Sequence, residues 1–173
     1  MTAMSTCPGC GLALASIGLP YDRRSNASRE CILVNAEVAG FELENQVQLG
    51  RLHQLTVDAY GAQHAGGQGS GIRVAYSLVG LLLALERGFT GVQVRDLHQR
   101  MGKPAPGWPR FDPPPGAGWL TVEDVAIAGR RAGSVQGHAD TVGRWARSVW
   151  AAWAARHDDV RGLTDLVIRL AAP

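Results

Sequence analysis

The chain has 173 residues, 46% of them hydrophobic and 18% charged, with 17 Lys+Arg against 15 Asp+Glu. That length and apolar content suit one compact domain spanning 1–173, with a core large enough to fold without disulfides, and they exclude a disordered chain. A formal net charge of +2, carried by scattered arginines and the single Lys103, is too small for a dedicated nucleic-acid or anionic-membrane surface.

The longest apolar run, Leu78 to Leu85, falls well short of the ~20 residues a membrane-spanning helix needs. No charged segment followed by an apolar one opens the sequence, so the expected compartment is the cytoplasm. There, an odd count of three cysteines does not read as a disulfide framework and points to a metal.

In chain order, residues 1–30 are rich in turn formers and poor in periodicity, which predicts an irregular head that needs something to order it. Ser28 then fits an N-cap for a first helix through Ile32, Leu33, Ala36, Val38 and Leu43 toward Gln48, closed by Gly50. A second helix is predicted from about Leu52 to His64. Gly66 to Gly71 ends it, with Ser70 as the cap of the next element; no strand precedes this loop and no Lys follows it, so it is no phosphate cradle.

Ile72, Tyr76, Val79 and Leu83 mark a third helix ending at Gly88, apolar nearly all round and therefore the expected central element. Thr90 can cap a fourth helix to Met101. Residues 103–118 hold six prolines, with Trp108 and Phe111, and read as an extended loop, since Pro fixes φ and lacks a donor. Thr121 and Asp124 have capping-box spacing at the start of a fifth helix to about Gly129. Helices from about His138 to Arg156 and from Asp159 to Leu170 complete the chain. No stretch alternates convincingly, so the expected fold is an all-α bundle of six or seven helices.

Cys7-Pro8-Gly9-Cys10-Gly11 is the most specific local signal. Two thiolates two residues apart, with turn formers between, make the knuckle of structural Zn²⁺ sites, which take four ligands. Cys31 supplies the third. If the second helix runs back antiparallel to the first, His64 arrives beside Cys31, whereas His53 lies about 16 Å away along the axis. The predicted site is Cys7, Cys10, Cys31 and His64 holding Zn²⁺. A thioredoxin-like use of the two-residue cysteine spacing lacks the flanking strand and helix.

His53, Val57, Tyr60 and His64 fall within about 40° on one helix face. His138, Val142, Trp145, Val149 and Trp153 make a second stripe, with Trp150 to one side. Such a wall can be helix packing or a small-molecule site, so Trp145, Trp150 and Trp153 are candidate ligand contacts. His53, Asp58, Tyr60 and His138 form an acid/base set only if one cavity gathers them. Tyr60 and Gln63 can instead orient His64.

The N-terminal Cys-Pro-x-Cys-Gly, Ser28-Arg29-Glu30-Cys31, Val57-Asp58-Ala59-Tyr60-Gly61-Ala62-Gln63-His64, Trp145-Ala146 and Val149-Trp150 together resemble a bacterial family of unknown function. That resemblance implies treating Cys7, Cys10, Cys31, Asp58, Tyr60 and His64 as a set, and supplies no reaction. Here Ala65 stands where the family commonly has Pro. The expected function is a zinc-stabilised helical protein that binds a small molecule or a protein partner; the alternative is a hydrolytic or acid/base enzyme.

Overall fold

The computed structural model describes residues 3–68, 71–101 and 107–171. The expected cap at Ser70 and the start of the Pro-rich segment, residues 103–106, lie outside them. The described residues form eight helices and one small hairpin. Strands β1 (Met4–Thr6) and β2 (Ala13–Ala15) pair antiparallel, with Ser5 opposite Leu14. Helices α1 (Arg29–Glu44), α2 (Gln46–Leu49), α3 (His53–Gln63), α4 (Gly71–Leu85) and α5 (Gly91–Met101) follow. After the Pro-rich segment come α6 (Val122–Ala126), a π-helical turn at Ile127–Arg131, α7 (Val135–Ala152), a 3₁₀ turn and α8 (His157–Ala171).

Two expectations are corrected. The head is not wholly irregular: three-residue strands are too short to show alternation, yet they frame the cysteine turn as a hairpin tip. The first predicted helix breaks at Asn45, whose backbone N–H and side-chain amide both donate to the Phe41 carbonyl and end α1. Its buried face also differs, running through Cys31, Val34, Val38 and Phe41 while Leu33 and Leu43 are exposed.

Caps hold where they were expected. Ser28 accepts from the Cys31 amide, and Thr121 and Asp124 form a complete capping box. The helix after that box departs from α geometry, because the π-turn inserts a residue that brings Gly129 flat against His138; a Cβ at Gly129 would stand 2.5 Å from the ring.

Helix α4 joins two buried clusters. Leu78, Leu81 and Leu82 belong to the cluster built with α3 and α7, while Ala75, Val79 and Leu83 belong to the one built with α5 and α8. Both faces of α4 are therefore in core, which is why its sequence is apolar all round. Small residues on α3 let α4 come close: a Cβ at Gly61 would meet Ser77 Oγ at 2.2 Å. The His138, Val142, Trp145, Val149 and Trp153 stripe is entirely buried and is the packing face of α7.

The Pro-rich segment is held to the bundle by side chains rather than lying as a loose strap. Gln63 donates to the Ala117 and Leu120 carbonyls, and Ser148 Oγ accepts from the Trp119 and Leu120 amides. Gly118, at φ +93, lies so close to Ser148 that a Cβ would stand 2.6 Å from its Oγ. No helix among the described residues is long and apolar enough to cross a membrane.

Leu82 is fully buried and Val47 is 97% exposed. Leu82→Ala is expected to cost about 2–5 kcal/mol in chemical denaturation, and Val47→Ala to stay within about 0.5 kcal/mol of the parent.

Candidate metal centre

The hairpin tip carries Cys7 and Cys10, and its glycines are what let it fold back. Gly11 adopts φ +75 and its amide donates to the Cys7 carbonyl, while the Cys7 amide donates to Leu12. Cys31 sits in the first turn of α1, set by the Ser28 cap, and His64 ends α3 as its C-cap. The four ligand atoms all lie within 4.8 Å of one another and could hold a metal ion. Cys7 Sγ and Cys31 Sγ each stand 3.4 Å from His64 Nε2, and Cys10 Sγ is 3.8 Å from Cys31 Sγ.

Gly9 decides whether the tip can dock on α3. A Cβ there would stand 2.6 Å from His64 Cδ2 and 2.6 Å from the Asn26 carbonyl oxygen, so only glycine fits. Asn26, itself at φ +55, donates its side-chain amide to the Ala65 carbonyl, and Arg73 donates to the His64 and Ser25 carbonyls. The head and the end of α3 are thus tied by polar contacts around the four ligand atoms.

The electrostatics of the cluster suit a cation. Three thiols this close in a buried space cannot all ionise. Hydrogen bonds from the Cys10 and Cys31 thiols hold Cys7 well below the usual thiol range, whereas hydrogen bonds with Cys10 and Cys7 push Cys31 well above it. A divalent ion removes that conflict by stabilising every thiolate together. The imidazole is already oriented for it: His64 Nδ1 lies 2.8 Å from the Tyr60 carbonyl, which can only accept. Nδ1 therefore carries the proton, and in the neutral ring Nε2 presents its lone pair toward the sulfurs.

Tyr60 stacks on the His64 ring with centroids 4.0 Å apart, and its hydroxyl donates to Cys31 Sγ at 3.7 Å. Burial, and then the neighbouring Cys31, push its phenol up, so it remains a donor. The Ser28 amide also donates to Cys7 Sγ, at 3.4 Å.

The four acid/base candidates do not share one cavity. His53 and His138 converge on Glu42, a residue the sequence reading did not single out. Glu42 is 1% exposed; its Oε2 lies 2.6 Å from His53 Nδ1, and its Oε1 lies 2.9 Å from His138 Nε2 and 2.5 Å from Thr56 Oγ1. Asp58 points away, toward α4, and Tyr60 belongs to the metal cluster. The only sequence signal for Glu42 was an acidic residue among apolar ones, which helical periodicity does not distinguish from a solvent position.

Gln63 does not orient His64. Its amide holds the Pro-rich segment and its carbonyl accepts from the Trp145 indole, so all its donors and one lone pair are spent there. Trp145 is core, and Trp150 stacks on His157 while donating to Glu86. Trp153, also deeply buried, presents an edge to a cleft of about 400 Å³ walled by Pro8, Cys10, Gln63 and residues 113–117.

The model of a family of unknown function (DUF5946) matches residues 5–154. The chain belongs to this family. The matched region of this DUF5946 protein includes all four metal-ligand candidates, Asp58, Glu42 and the cleft wall, and leaves out the whole of α8. No curated protein and no solved structure matches the chain.

Two outcomes follow from this geometry. Gly9→Ala forces the hairpin off His64 and is expected to lower the melting temperature well beyond a surface substitution, in a differential scanning measurement. The second concerns Glu42, which hydrogen bonds from His138, His53 and Thr56 hold below the usual carboxylate range although its burial opposes them. In turn its hydrogen bond to His53 raises that imidazole. A raised folded value means that the His53 contribution is complete below the ordinary histidine value of ~6.5 and is lost as pH rises through the folded value. His53→Gln should therefore flatten the decline in urea-denaturation stability on the alkaline side of about pH 6.5.

Proposed function

We propose that this protein is a zinc-stabilised helical binding protein, in which a structural Zn²⁺ on Cys7, Cys10, Cys31 and His64 pins the N-terminal hairpin to the bundle, and the cleft beside Cys10 takes a small molecule. The observation that carries the metal reading is the spacing of the ligand atoms. A tetrahedral Zn²⁺ with Zn–S near 2.3 Å and Zn–N near 2.0–2.1 Å needs S···S of about 3.8 Å and S···N of about 3.6 Å. Three of the six separations here are 3.8 Å for Cys10 to Cys31 and 3.4 Å for Cys7 and Cys31 to His64, and all six lie within 4.8 Å.

Four protein ligands complete the shell and leave no position for a reacting water, which supports a structural rather than catalytic ion. Thiolate-rich donors favour zinc over the hard cations, which prefer oxygen. Before the ion binds, three thiols must lose their protons, so the affinity rises with pH and binding free energy becomes folding free energy.

The cleft supports a small-molecule ligand. Its volume of about 400 Å³ lies within the range of ligand pockets, and its wall mixes proline, alanine and Trp153 with the polar side chains of Asn26 and Gln63. The separation of His53, Asp58, Tyr60 and His138 argues against the acid/base enzyme built from them.

Protein purified without added metal is expected to contain about one zinc per chain by elemental analysis. His64→Ala should lose most of that zinc and lower the melting temperature, and a strong chelator should reproduce the shift in the parent. Metal-free protein with an unchanged melting temperature would overturn the reading. Unchanged stability and zinc in His64→Ala would remove His64 from the site.

A further inference from the structure

Glu42 of α1 is a buried carboxylate with three donors around it. Its Oε1 takes Thr56 Oγ1 at 2.5 Å and His138 Nε2 at 2.9 Å, and its Oε2 takes His53 Nδ1 at 2.6 Å. Burial raises this carboxyl, yet the hydrogen bonds from His138, His53 and Thr56 outweigh it and hold the group below the usual range. An ionised carboxylate can only accept, so each ring nitrogen that faces it carries a hydrogen.

The two imidazoles are placed differently. His138 is fully buried, and its Nδ1 has no partner among the described residues, lying where a Cβ at Gly129 would stand 2.5 Å from it. A proton on that nitrogen would be a buried donor without an acceptor, so His138 is neutral with its hydrogen on Nε2. His53 begins α3, and its side chain is 44% exposed. With Nδ1–H turned inward to Glu42, the opposite edge of the ring faces solvent. Its Nε2 is not among the sealed polar atoms and has no partner among the described residues.

Packing alone does not ask for a charge here. Desolvating a carboxylate is costly, and apolar side chains of similar volume often serve stability as well as a buried ion pair does. What Glu42 supplies is orientation and basicity for one exposed nitrogen, as the buried carboxylate of a catalytic triad does for its imidazole. Its hydrogen bond to Nδ1 fixes the tautomer, keeps the Nε2 lone pair outward and raises the ring. The same negative charge stabilises the cation that the ring becomes once Nε2 bonds to an electrophile.

We infer that His53 Nε2 is a phosphoryl-acceptor site, with Glu42 as its positioning residue. His53 lies outside the cleft beside Cys10, so a donor meets it at the open surface. Charge favours a phosphoryl over an acyl group: no side chain caps the first-turn amides of α3, and Arg51 is exposed two residues earlier, so an anionic group on His53 meets the positive end of the helix. In the step, the Nε2 lone pair attacks the phosphorus of a phosphoramidate or acyl phosphate donor. The Nε2–P bond forms as the donor's P–N or P–O bond breaks, and that electron pair departs with ammonia or the carboxylate. The Nδ1 hydrogen stays on the ring, now cationic and paired with Glu42. Neither the zinc site nor the cleft enters this reading.

The test incubates the full chain with potassium phosphoramidate at about pH 8, above the ordinary histidine range. N-acetylhistidine in the same solution serves as an exposed imidazole without a carboxylate. Products are followed by ³¹P NMR and located by peptide mass spectrometry. His53 should be phosphorylated on Nε2 alone, at least about fivefold faster than N-acetylhistidine. Glu42→Gln should bring the rate down to that of N-acetylhistidine. A smaller rate advantage in the parent, attachment at Nδ1, or an undiminished rate in folded Glu42→Gln would each overturn the inference. If Glu42→Gln does not fold, ring ¹⁵N resonances of the parent decide. Neutral His53 should carry its hydrogen on Nδ1, and a hydrogen on Nε2 overturns the assignment.

Discussion

The contact between the hairpin tip and the last residue of α3 is the constraint on which the rest of the head depends. Residues up to Ser28 offer little apolar surface, and two three-residue strands do not hold a position on a bundle by themselves. Their place is set where Cys7, Cys10 and Cys31 crowd around the His64 ring and where Gly9 leaves no gap over it. The clustering of thiols has a cost that a cation would offset, so under the zinc proposal the docking of this head and the occupancy of the cluster would be one equilibrium.

Helix α3 organises the functional surfaces because successive residues of one short stretch face different neighbours. Asp58 points to Gly80 of α4, Tyr60 and His64 to the sulfurs, and Gln63 to the Pro-rich segment and Trp145. A rigid helix fixes these directions at about 100° per residue, which explains how a compact motif can reach the cysteine cluster, brace a loop and pack on α4. Glu42 plays the corresponding role on the opposite end of the same helix, joining α1, α3 and α7 through Thr56, His53 and His138.

Much of this was legible in the residues. Capping side chains at Ser28 and Thr121 marked helix starts, the all-round apolar α4 announced its double burial, and antiparallel return of α3 placed His64 beside Cys31 and His53 far from it. The hairpin was not legible, because three-residue strands carry no period. Nor was the break at Asn45, where a side-chain amide competes for a carbonyl. The π-turn was hidden for a similar reason: Gly129 reads as a helix stop, whereas its function is to lie against a ring contributed by α7. Glu42, Gln63 and Asp58 show the same limit, since the partner that gives a buried polar group its meaning comes from a distant part of the chain.

Because α3 carries both Asp58 and His64 on one rod, six residues and about 9 Å apart along its axis, the two ends cannot tilt independently. Any shift of α3 that moves His64 against the sulfurs therefore also moves Asp58 against Gly80 of α4. One helix thus sets both the spacing of the four ligand atoms and the fit of Asp58 on Gly80.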